Sequence, residues 1–301
     1  TSLPGSPVLH HLLKTVDPSL YTDLTALRAA APTLSIRYLG TAGFVLEHNQ
    51  HTIVLDPYLS RPGVIQTLFR RLVPDEGLIA RELPRADDVL VGHSHHDHVL
   101  DAPALCRQTG ARFIGSPDAC NVARAAGLPE GQLVQTEGRE DIASGPGRVR
   151  GLPSRHGRVY FNRVTLPGTI PEPPPWPPRV TDLRHGLVLN WLVELGGLRV
   201  VHVDSADFID QELEGIQADV ACLCAIGRAA RPGFVRRAIE LLCPRFVVAC
   251  HWDWFVTPWG VPPRLLPGVD LPGFISEVRA AGATPVVMPF DGRLELAPTD
   301  P

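Results

Sequence analysis

The 301-residue chain has few cysteines and few aromatic residues, and it contains no long apolar run. Six cysteines are too few to staple a chain of this length, so we expect an apolar core in which buried thiols act as small hydrophobes. No stretch of about 18 apolar residues could form a membrane helix, and no charged segment followed by an apolar run opens the chain. These absences predict a cytoplasmic protein without an integral membrane segment.

Positive charge is also scarce. The 28 Lys and Arg residues are outnumbered by 32 Asp and Glu residues, the formal net charge is −4, and the basic residues are spread along the chain. A nucleic-acid-binding surface usually needs a concentrated basic stripe. We therefore expect a small-molecule substrate and no nucleic-acid partner, and we leave a homo-oligomer open.

A hydrophobic fraction of 44% is enough for one large core, and the chain divides into two unequal parts. In the first part, residues 1–33, the pair Asp17-Pro18 is typical of a helix start, and Leu20, Leu24 and Leu27 would share one face. We expect a helical extension here that packs on the core. The second part, residues 34–301, is predicted to be the functional domain.

The most informative segment is His93-Ser94-His95-His96-Asp97-His98, which directly follows the apolar, strand-like residues 88–92. Four such polar groups gain nothing in a core, where each would have to be desolvated and paired. His93 and His95 are two positions apart, so an extended backbone points both to the same side. Asp97 and His98 follow as the chain turns, which lets them face a second ion. The segment therefore predicts a metal site with two halves.

Three further donors each end a strand-like run in a distant part of the chain: His156, Asp204 and His251. Donors at several strand ends can meet at one edge of a sheet and complete such a site. Neutral imidazoles and carboxylates suit zinc, manganese or iron, and the number of histidines favours zinc. We expect two divalent metal ions.

The order and spacing of these donors resemble those of the metallo-β-lactamase-fold superfamily. The signature of that superfamily is His-x-His-x-Asp-His, followed in order by His, Asp and His. Residues 38–44 and 52–57 also resemble its opening strands and its Asp-Pro turn. The resemblance covers about residues 35 to 296. It implies an α+β fold, the αββα four-layer sandwich, for which we expect mostly antiparallel sheets with helices outside.

The resemblance also implies which residue holds which ion and how the ions would work. Two ions would hold a bridging hydroxide, which attacks an electrophilic carbon or phosphorus. The ligands implied are His93, His95 and His156 for the first ion, Asp97, His98 and His251 for the second, and Asp204 as the bridge.

Other residues are candidates for supporting roles. His185 follows a proline-rich segment and could act with Asp97 as a catalytic residue, donating a proton, or could be an ordinary loop histidine. Asp56, His202 and Asp207 could orient ligands from behind, although Asp56-Pro57 could equally be only a turn. Seven prolines in residues 167–178 predict a stiff wall near the site. The aromatic residues in 252–259 either line an apolar pocket or pack the C-terminal loop.

Residues 40–44 and His251-Trp252-Asp253 are most similar to a branch that includes ascorbate-phosphate lactonase-like and N-acyl-phosphatidylethanolamine phospholipase D-like proteins. That resemblance implies a dinuclear metal-dependent hydrolase that cleaves an ester-like bond, phosphodiester or lactone, in a partly apolar small molecule. The alternative is a metal-binding sensor or partner-binding protein that does not catalyse a reaction. Redox chemistry at a di-iron site is a third hypothesis, which the absence of a recognisable electron-transfer segment disfavours.

Overall fold

The computed structural model describes residues 14–298, and in it two seven-stranded sheets face each other. The strands are β1 Leu34–Gly40, β2 Gly43–His48, β3 His51–Leu55, β4 Asp88–Val91, β5 Arg112–Gly115, β6 Leu133–Gln135, β7 Asp141–Ser144, β8 Gly147–Pro153, β9 Leu189–Leu195, β10 Leu198–Val203, β11 Val220–Cys224, β12 Phe246–Cys250, β13 Thr284–Val286 and β14 Arg293–Leu296.

Short helices connect these strands and cover the outer faces of the sheets. None of the helices within residues 14–298 is long and apolar enough to cross a membrane. The α-helices are α1 Leu24–Leu27, α2 Val64–Phe69, α3 Glu76–Glu82, α4 His96–Val99, α5 Ala102–Thr109, α6 Pro117–Ala125, α7 Asp210–Leu213, α8 Phe234–Leu242 and α9 Leu271–Ala280. The 3-10 turns are Pro18–Leu20, Glu130–Gln132, Tyr160–Asn162, Val180–Asp182 and Arg228–Ala230.

Both sheets are mixed. Their strand orders are β14-β1-β2-β3-β4-β5-β6 and β13-β12-β11-β10-β9-β8-β7. Among the described residues, each sheet has three antiparallel pairings followed by three parallel ones. The expectation of mostly antiparallel sheets is therefore wrong. The parallel pairings require crossovers, and helices such as α5 and α6 supply them.

The main core lies between the two sheets, because alternate residues of each strand point to opposite faces. In β1, Ile36 and Tyr38 belong to the main buried cluster, whereas Leu39 belongs to a second buried cluster that also contains residues of α5 and α6. On the far side, Phe234 and Val235 of α8 pack on the second sheet. Together these layers form the predicted αββα sandwich.

The N-terminal extension differs from the single helix that the sequence suggested, and residues 1–13 lie outside the described part. Asp17 caps only a 3-10 turn, and the separate helix α1 begins after Asp23, whose carboxylate caps it. Leu20, Leu24 and Leu27 are partly buried against the main core, as the shared face predicted. Two competing aspartate caps six residues apart divide the segment into two short turns. The domain boundary at residue 33 stays a prediction.

Candidate metal centre

The predicted donors gather at one edge of the sandwich because of the strand directions. β10, β11 and β12 are parallel, and β8 runs the same way as β10 because both are antiparallel to β9. The residues that follow β8, β10 and β12 therefore lie at one edge. This brings together His156, Asp204 and His251, which meet the segment that follows β4 in the facing sheet.

The first group of donors consists of His93, His95 and His156. One ring nitrogen from each lies within 4.8 Å of the others. His93 Nε2 and His95 Nδ1 are 2.9 Å apart, and the ring centroids of His93 and His95 lie 4.9 and 4.7 Å from that of His156. His156 Nδ1–H donates to the carbonyl of Gly157 at 2.7 Å, which leaves Nε2 free to bind a cation.

The second group consists of Asp97, His98 and His251, whose ligand atoms also lie within 4.8 Å of one another. His95 caps α4, and Asp97 and His98 belong to that short helix. His251 Nε2 lies 3.3 Å from His98 Nε2 and 3.4 Å from Asp97 Oδ2. His251 itself adopts a left-handed backbone, with φ of 55°. The turn of the chain at α4 thus places Asp97 and His98 in a different group from His93 and His95.

Asp204 lies between the two groups and touches both. Its Oδ2 contacts His93 Nδ1 in a very short hydrogen bond, and its Oδ1 lies 3.0 Å from His98 Nδ1. The side chain is fully buried. A carboxylate that contacts one histidine of each group links the two groups.

The electrostatics keep most of these imidazoles neutral, which is the form that binds metal. Burial lowers the pKa of His93 to about 3 and that of His156 to about 4, and it holds the pKa of His95 well below its usual value. Burial alone would raise the pKa of Asp204, but His93 and His98 hold it well below its usual range. The first group therefore presents neutral nitrogen donors beside an ionised carboxylate, whereas the carboxylates of Asp204, Asp56 and Asp97 outweigh burial and raise the pKa of His98 well above its usual value.

The donor set fits a divalent cation. His98 Nε2 and His251 Nε2 face each other at 3.3 Å with Asp97 Oδ2 beside them, and His95 Nε2 is buried without a hydrogen-bond partner. Such an arrangement of lone pairs is costly unless a cation lies among them. Histidine and carboxylate donors are those that zinc, manganese and iron accept.

Asp56 supports the second group from behind. It follows β3, and its Oδ2 lies 2.9 Å from His98 Nδ1 while its Oδ1 accepts the Gly92 backbone N–H at 2.8 Å. This contact fixes the ring so that Nε2 points at Asp97 and His251. Of the two readings of Asp56-Pro57, the contacts favour a carboxylate that orients a ligand.

We expect Asp56→Asn to weaken binding of the second ion about 10- to 100-fold, because the amide no longer holds His98 as a carboxylate does. Zinc retained per chain during titration with a chelator measures the effect. Asp87→Asn is the matched control, since Asp87 accepts a backbone N–H from Thr52 at the opposite end of the same strand pair. Equal zinc retention in the two variants would contradict this role.

His202 is fully buried on β10, where its ring packs edge-on against Phe44, and burial lowers its pKa to about 4. Its pKa in the unfolded chain is 6.5, so below that pH the unfolded state takes up a proton that the folded state refuses. The contribution of the neutral His202 to the free energy of unfolding is therefore complete above pH 6.5 and is lost as the pH falls toward 4.

We therefore expect the free energy of unfolding to fall with decreasing pH more steeply in the wild type than in His202→Leu between pH 6.5 and 5, by at most about 1.4 kcal/mol per pH unit. Urea unfolding of both proteins across this range measures the difference. Parallel curves would show that His202 does not contribute.

His185 lies beside the first group. Its ring is stacked 5.6 Å from that of His156 and lies 6.0 Å from that of His95. Its Nδ1–H donates to the Gly186 carbonyl at 2.5 Å, which leaves Nε2 available for a substrate. The position matches the predicted edge of the site. Asp207, in contrast, pairs with Arg231 at 2.5 Å and touches none of the donors, so its suggested ligand-orienting role is wrong.

Tyr160 is a residue close in sequence to His156 that sequence reasoning did not single out. It belongs to a 3-10 turn a few residues after His156, and 42% of it is exposed. Burial of its hydroxyl, and to a smaller extent the charge of Asp97, raise its pKa. A lone tyrosine in an irregular loop carries no pattern that would have identified it.

The two segments expected to shape the site behave differently. The proline-rich segment begins beside His185, because the Gly168 carbonyl accepts the Gly186 N–H at 2.9 Å. The segment then packs onto α6, where the Asp118 carboxylate accepts the Ile170 N–H at 2.5 Å. It therefore forms a fixed wall.

The aromatic segment after His251 mostly packs the core. Trp252 is fully buried and lies 5.9 Å from Tyr38 between ring centroids, and Trp259 stacks on Phe290. Phe255 meets the His251 ring edge-on at 4.8 Å. Of the two interpretations, packing accounts for the tryptophans, and Phe255 alone adjoins a donor.

Comparison with known proteins agrees with this fold. A model of the beta-lactamase superfamily domain matches residues 35–251. The chain therefore belongs to the beta-lactamase superfamily.

Individual relatives are similar over most of the chain. A UPF0173 metal-dependent hydrolase of Anaeromyxobacter dehalogenans is 28% identical over 251 residues, which cover 79% of this chain and 81% of that protein. Among solved structures, Igni18, a metallo hydrolase from Ignicoccus hospitalis, is 19% identical with a TM-score of 0.59, covering 88% of this chain and 99% of that one. CmlA, a diiron beta-hydroxylase from Streptomyces venezuelae, is 16% identical with a TM-score of 0.58, covering 89% of this chain and 55% of that one. These two structures share the fold.

Proposed function

We propose that the chain is a metal-dependent hydrolase that holds two divalent ions and cleaves an ester-like bond in a small molecule. The observation that carries the proposal is the place of Asp204, whose two carboxylate oxygens contact His93 and His98 and so join the two donor groups. The curated relative that is 28% identical is named a metal-dependent hydrolase, which supports the same class.

The proposal assigns each donor to one of the two ions or to both. His93, His95 and His156 hold one ion, Asp97, His98 and His251 hold the other, and Asp204 bridges them. Two such ions, when bound, supply an activated water and stabilise the negative charge that develops on the substrate. Zinc is favoured because five of these seven donors are histidines, and manganese and iron are the other candidates.

His185 is proposed to move the proton of the leaving group. Its Nδ1 is committed to the Gly186 carbonyl, so the proton would be carried on Nε2, beside His95 and His156. Tyr160, whose pKa is raised by burial and to a smaller extent by the charge of Asp97, is a further candidate for contact with the substrate.

We expect His185→Gln to lower kcat about 100-fold, with both metal ions retained, because a general acid typically contributes this much and the residue is not a ligand. Activity and metal content should be measured on the same preparation. His48→Gln is the control, since His48 binds the Thr33 carbonyl at the far end of β2. Unchanged kcat in His185→Gln would remove this residue from the mechanism.

The substrate class follows from the resemblance to lactonase-like and phospholipase D-like proteins and from the surroundings of His251. Phe255 offers an apolar ring beside that ligand, and the proline-rich segment limits access from the side of His185. We propose a partly apolar substrate, with a phosphodiester slightly ahead of a lactone.

Direct assay tests the proposal. The protein is stripped and reloaded with zinc, manganese or iron, then assayed with bis-p-nitrophenyl phosphate and with a panel of acyl lactones of increasing chain length. We expect hydrolysis of at least one class that depends on the metal. A protein that binds two ions yet hydrolyses neither these substrates nor thioesters and lactams would favour the alternative, a metal-binding sensor.

A further inference from the structure

We infer that a buried ion pair, Arg61 with Asp253, is a positioning device for His251 and so for the second metal ion. Arg61 Nη1 lies 2.8 Å from Asp253 Oδ2, and neither side chain has any exposed surface. The two residues are 192 positions apart in the chain. The inference rests on the proposed function, because it assumes that His251 is a ligand.

Arg61 is held from several sides. Its Nη2 donates to the Leu39 carbonyl at 3.3 Å and to Thr41 Oγ1 at 3.2 Å, and its guanidinium stacks 4.6 Å from the centroid of Phe290. Its own backbone is left-handed, with φ of 41°. A methyl group at Gly40 would collide with this guanidinium, so the turn after β1 is shaped around it. Since the side chain is fully buried, Arg61 has no surface with which to bind a substrate.

Asp253 links this arginine to the metal ligand. Its Oδ1 accepts the Thr41 backbone N–H at 2.6 Å and the Tyr38 hydroxyl at 2.9 Å. The carbonyl of the same Thr41 accepts the His251 backbone N–H at 2.6 Å. The loop after β12 is therefore held at two points on one turn, and one of these is His251 itself.

This attachment matters because His251 adopts an unfavourable conformation. A histidine with φ of 55° is uncommon and persists where its surroundings determine it. The bond to Thr41 fixes that conformation, and the Asp253 carboxylate holds Thr41 in place. A ligand must keep its geometry when the ion leaves, so a fixed backbone favours binding of the second ion.

A contribution to stability alone explains this ion pair less well than a positioning role does. A buried ion pair is weak evidence for stability, since apolar residues of similar size often replace one without loss. The contacts of this pair converge on the turn that holds His251. The first group, which follows β4 and β8, makes none of these contacts, so the effect should be confined to the second ion.

The test compares zinc binding by the wild type with that by the double variant Arg61→Met/Asp253→Leu, which removes both charges and leaves neither unpaired. The control is Arg112→Met/Asp88→Leu, because Asp88 is also buried and pairs with Arg112 at 2.6 Å, at the opposite end of β4. Zinc per chain is measured during titration with a chelator, and cooperative thermal unfolding establishes that each protein is folded.

We expect the double variant to bind one of its two zinc ions about 10- to 100-fold more weakly than the wild type, with the other unchanged. The control should retain both. If the double variant does not fold, Asp253→Asn takes its place, because the amide oxygen can still accept from Thr41 and Tyr38, whereas the amide nitrogen that replaces Oδ2 cannot accept from Arg61 and the ion pair is lost. The same selective weakening is expected.

Wild-type affinity for both ions in the folded variant, or equal weakening of both, would overturn the inference and leave the proposed function standing. Loss of zinc from the control to the same extent would also overturn it. A wild type that binds fewer than two zinc ions would overturn the proposed function, and this inference with it.

Discussion

Asp204→Ala is expected to lower kcat/KM at least about 1,000-fold and to reduce the metal content, since metal-dependent charge stabilisation supplies several kcal/mol. The side chain is fully buried and contacts His93 and His98, one from each group. Its removal separates the two halves of the site and leaves the imidazoles without their carboxylate. Elemental analysis and kinetics on the same preparation measure both effects.

The control for this variant lies at the opposite end of the same strand. Asp219 accepts the Arg199 backbone N–H at 2.8 Å, where β10 begins, so Asp219→Ala tests the loss of a carboxylate far from the metals. We expect Asp219→Ala to keep the wild-type metal content. Full activity in Asp204→Ala would show that this carboxylate is not a bridging ligand.

Gly92→Ala should be almost as damaging, although it adds only one methyl group. Gly92 immediately precedes His93, and a Cβ there would overlap Cγ and Oδ1 of Asp204. Asp204 cannot easily move away from the added methyl group, because its backbone N–H donates a hydrogen bond to Asn190 Oδ1 at 3.1 Å. We expect a loss of about 1,000-fold in kcat/KM, comparable to that of Asp204→Ala, because the same ligand is displaced.

Gly131→Ala is the matched control, since an added Cβ at Gly131 meets nothing within 4 Å. It should leave activity and metal content unchanged. The same measurements on Gly92→Ala should show metal loss with the overall fold retained by circular dichroism. Wild-type kinetics for Gly92→Ala would mean that Asp204 does not have to lie where the structure places it.

The donors could be predicted from the sequence because each one ends an apolar strand. His156, Asp204 and His251 follow β8, β10 and β12, and polar residues at that point are visible as a break in an apolar run. The spacing of His93 and His95 is also informative, because side chains two positions apart on an extended backbone point to the same side. The site is thus built from local patterns, which a single sequence contains.

The supporting contacts could not be predicted, because they join distant segments without a local signal. Arg61 and Asp253 meet only when the turn after β1 and the loop after β12 pack together. The prediction of mostly antiparallel sheets was wrong for a related reason. A strand that is buried on both faces has the same apolar pattern in parallel and antiparallel pairings. The helices between β4 and β6 form the crossovers that parallel pairing requires, and a helical pattern there is the available signal of parallel pairing.

The central claim is that the seven donors hold two metal ions, and metal content tests it most directly. The untagged protein, purified without chelator, is analysed by elemental mass spectrometry alongside His95→Ala. The account predicts about two ions per chain in the wild type and a clear loss in the variant. Near-zero metal in the wild type that zinc, manganese and iron all fail to restore would contradict it.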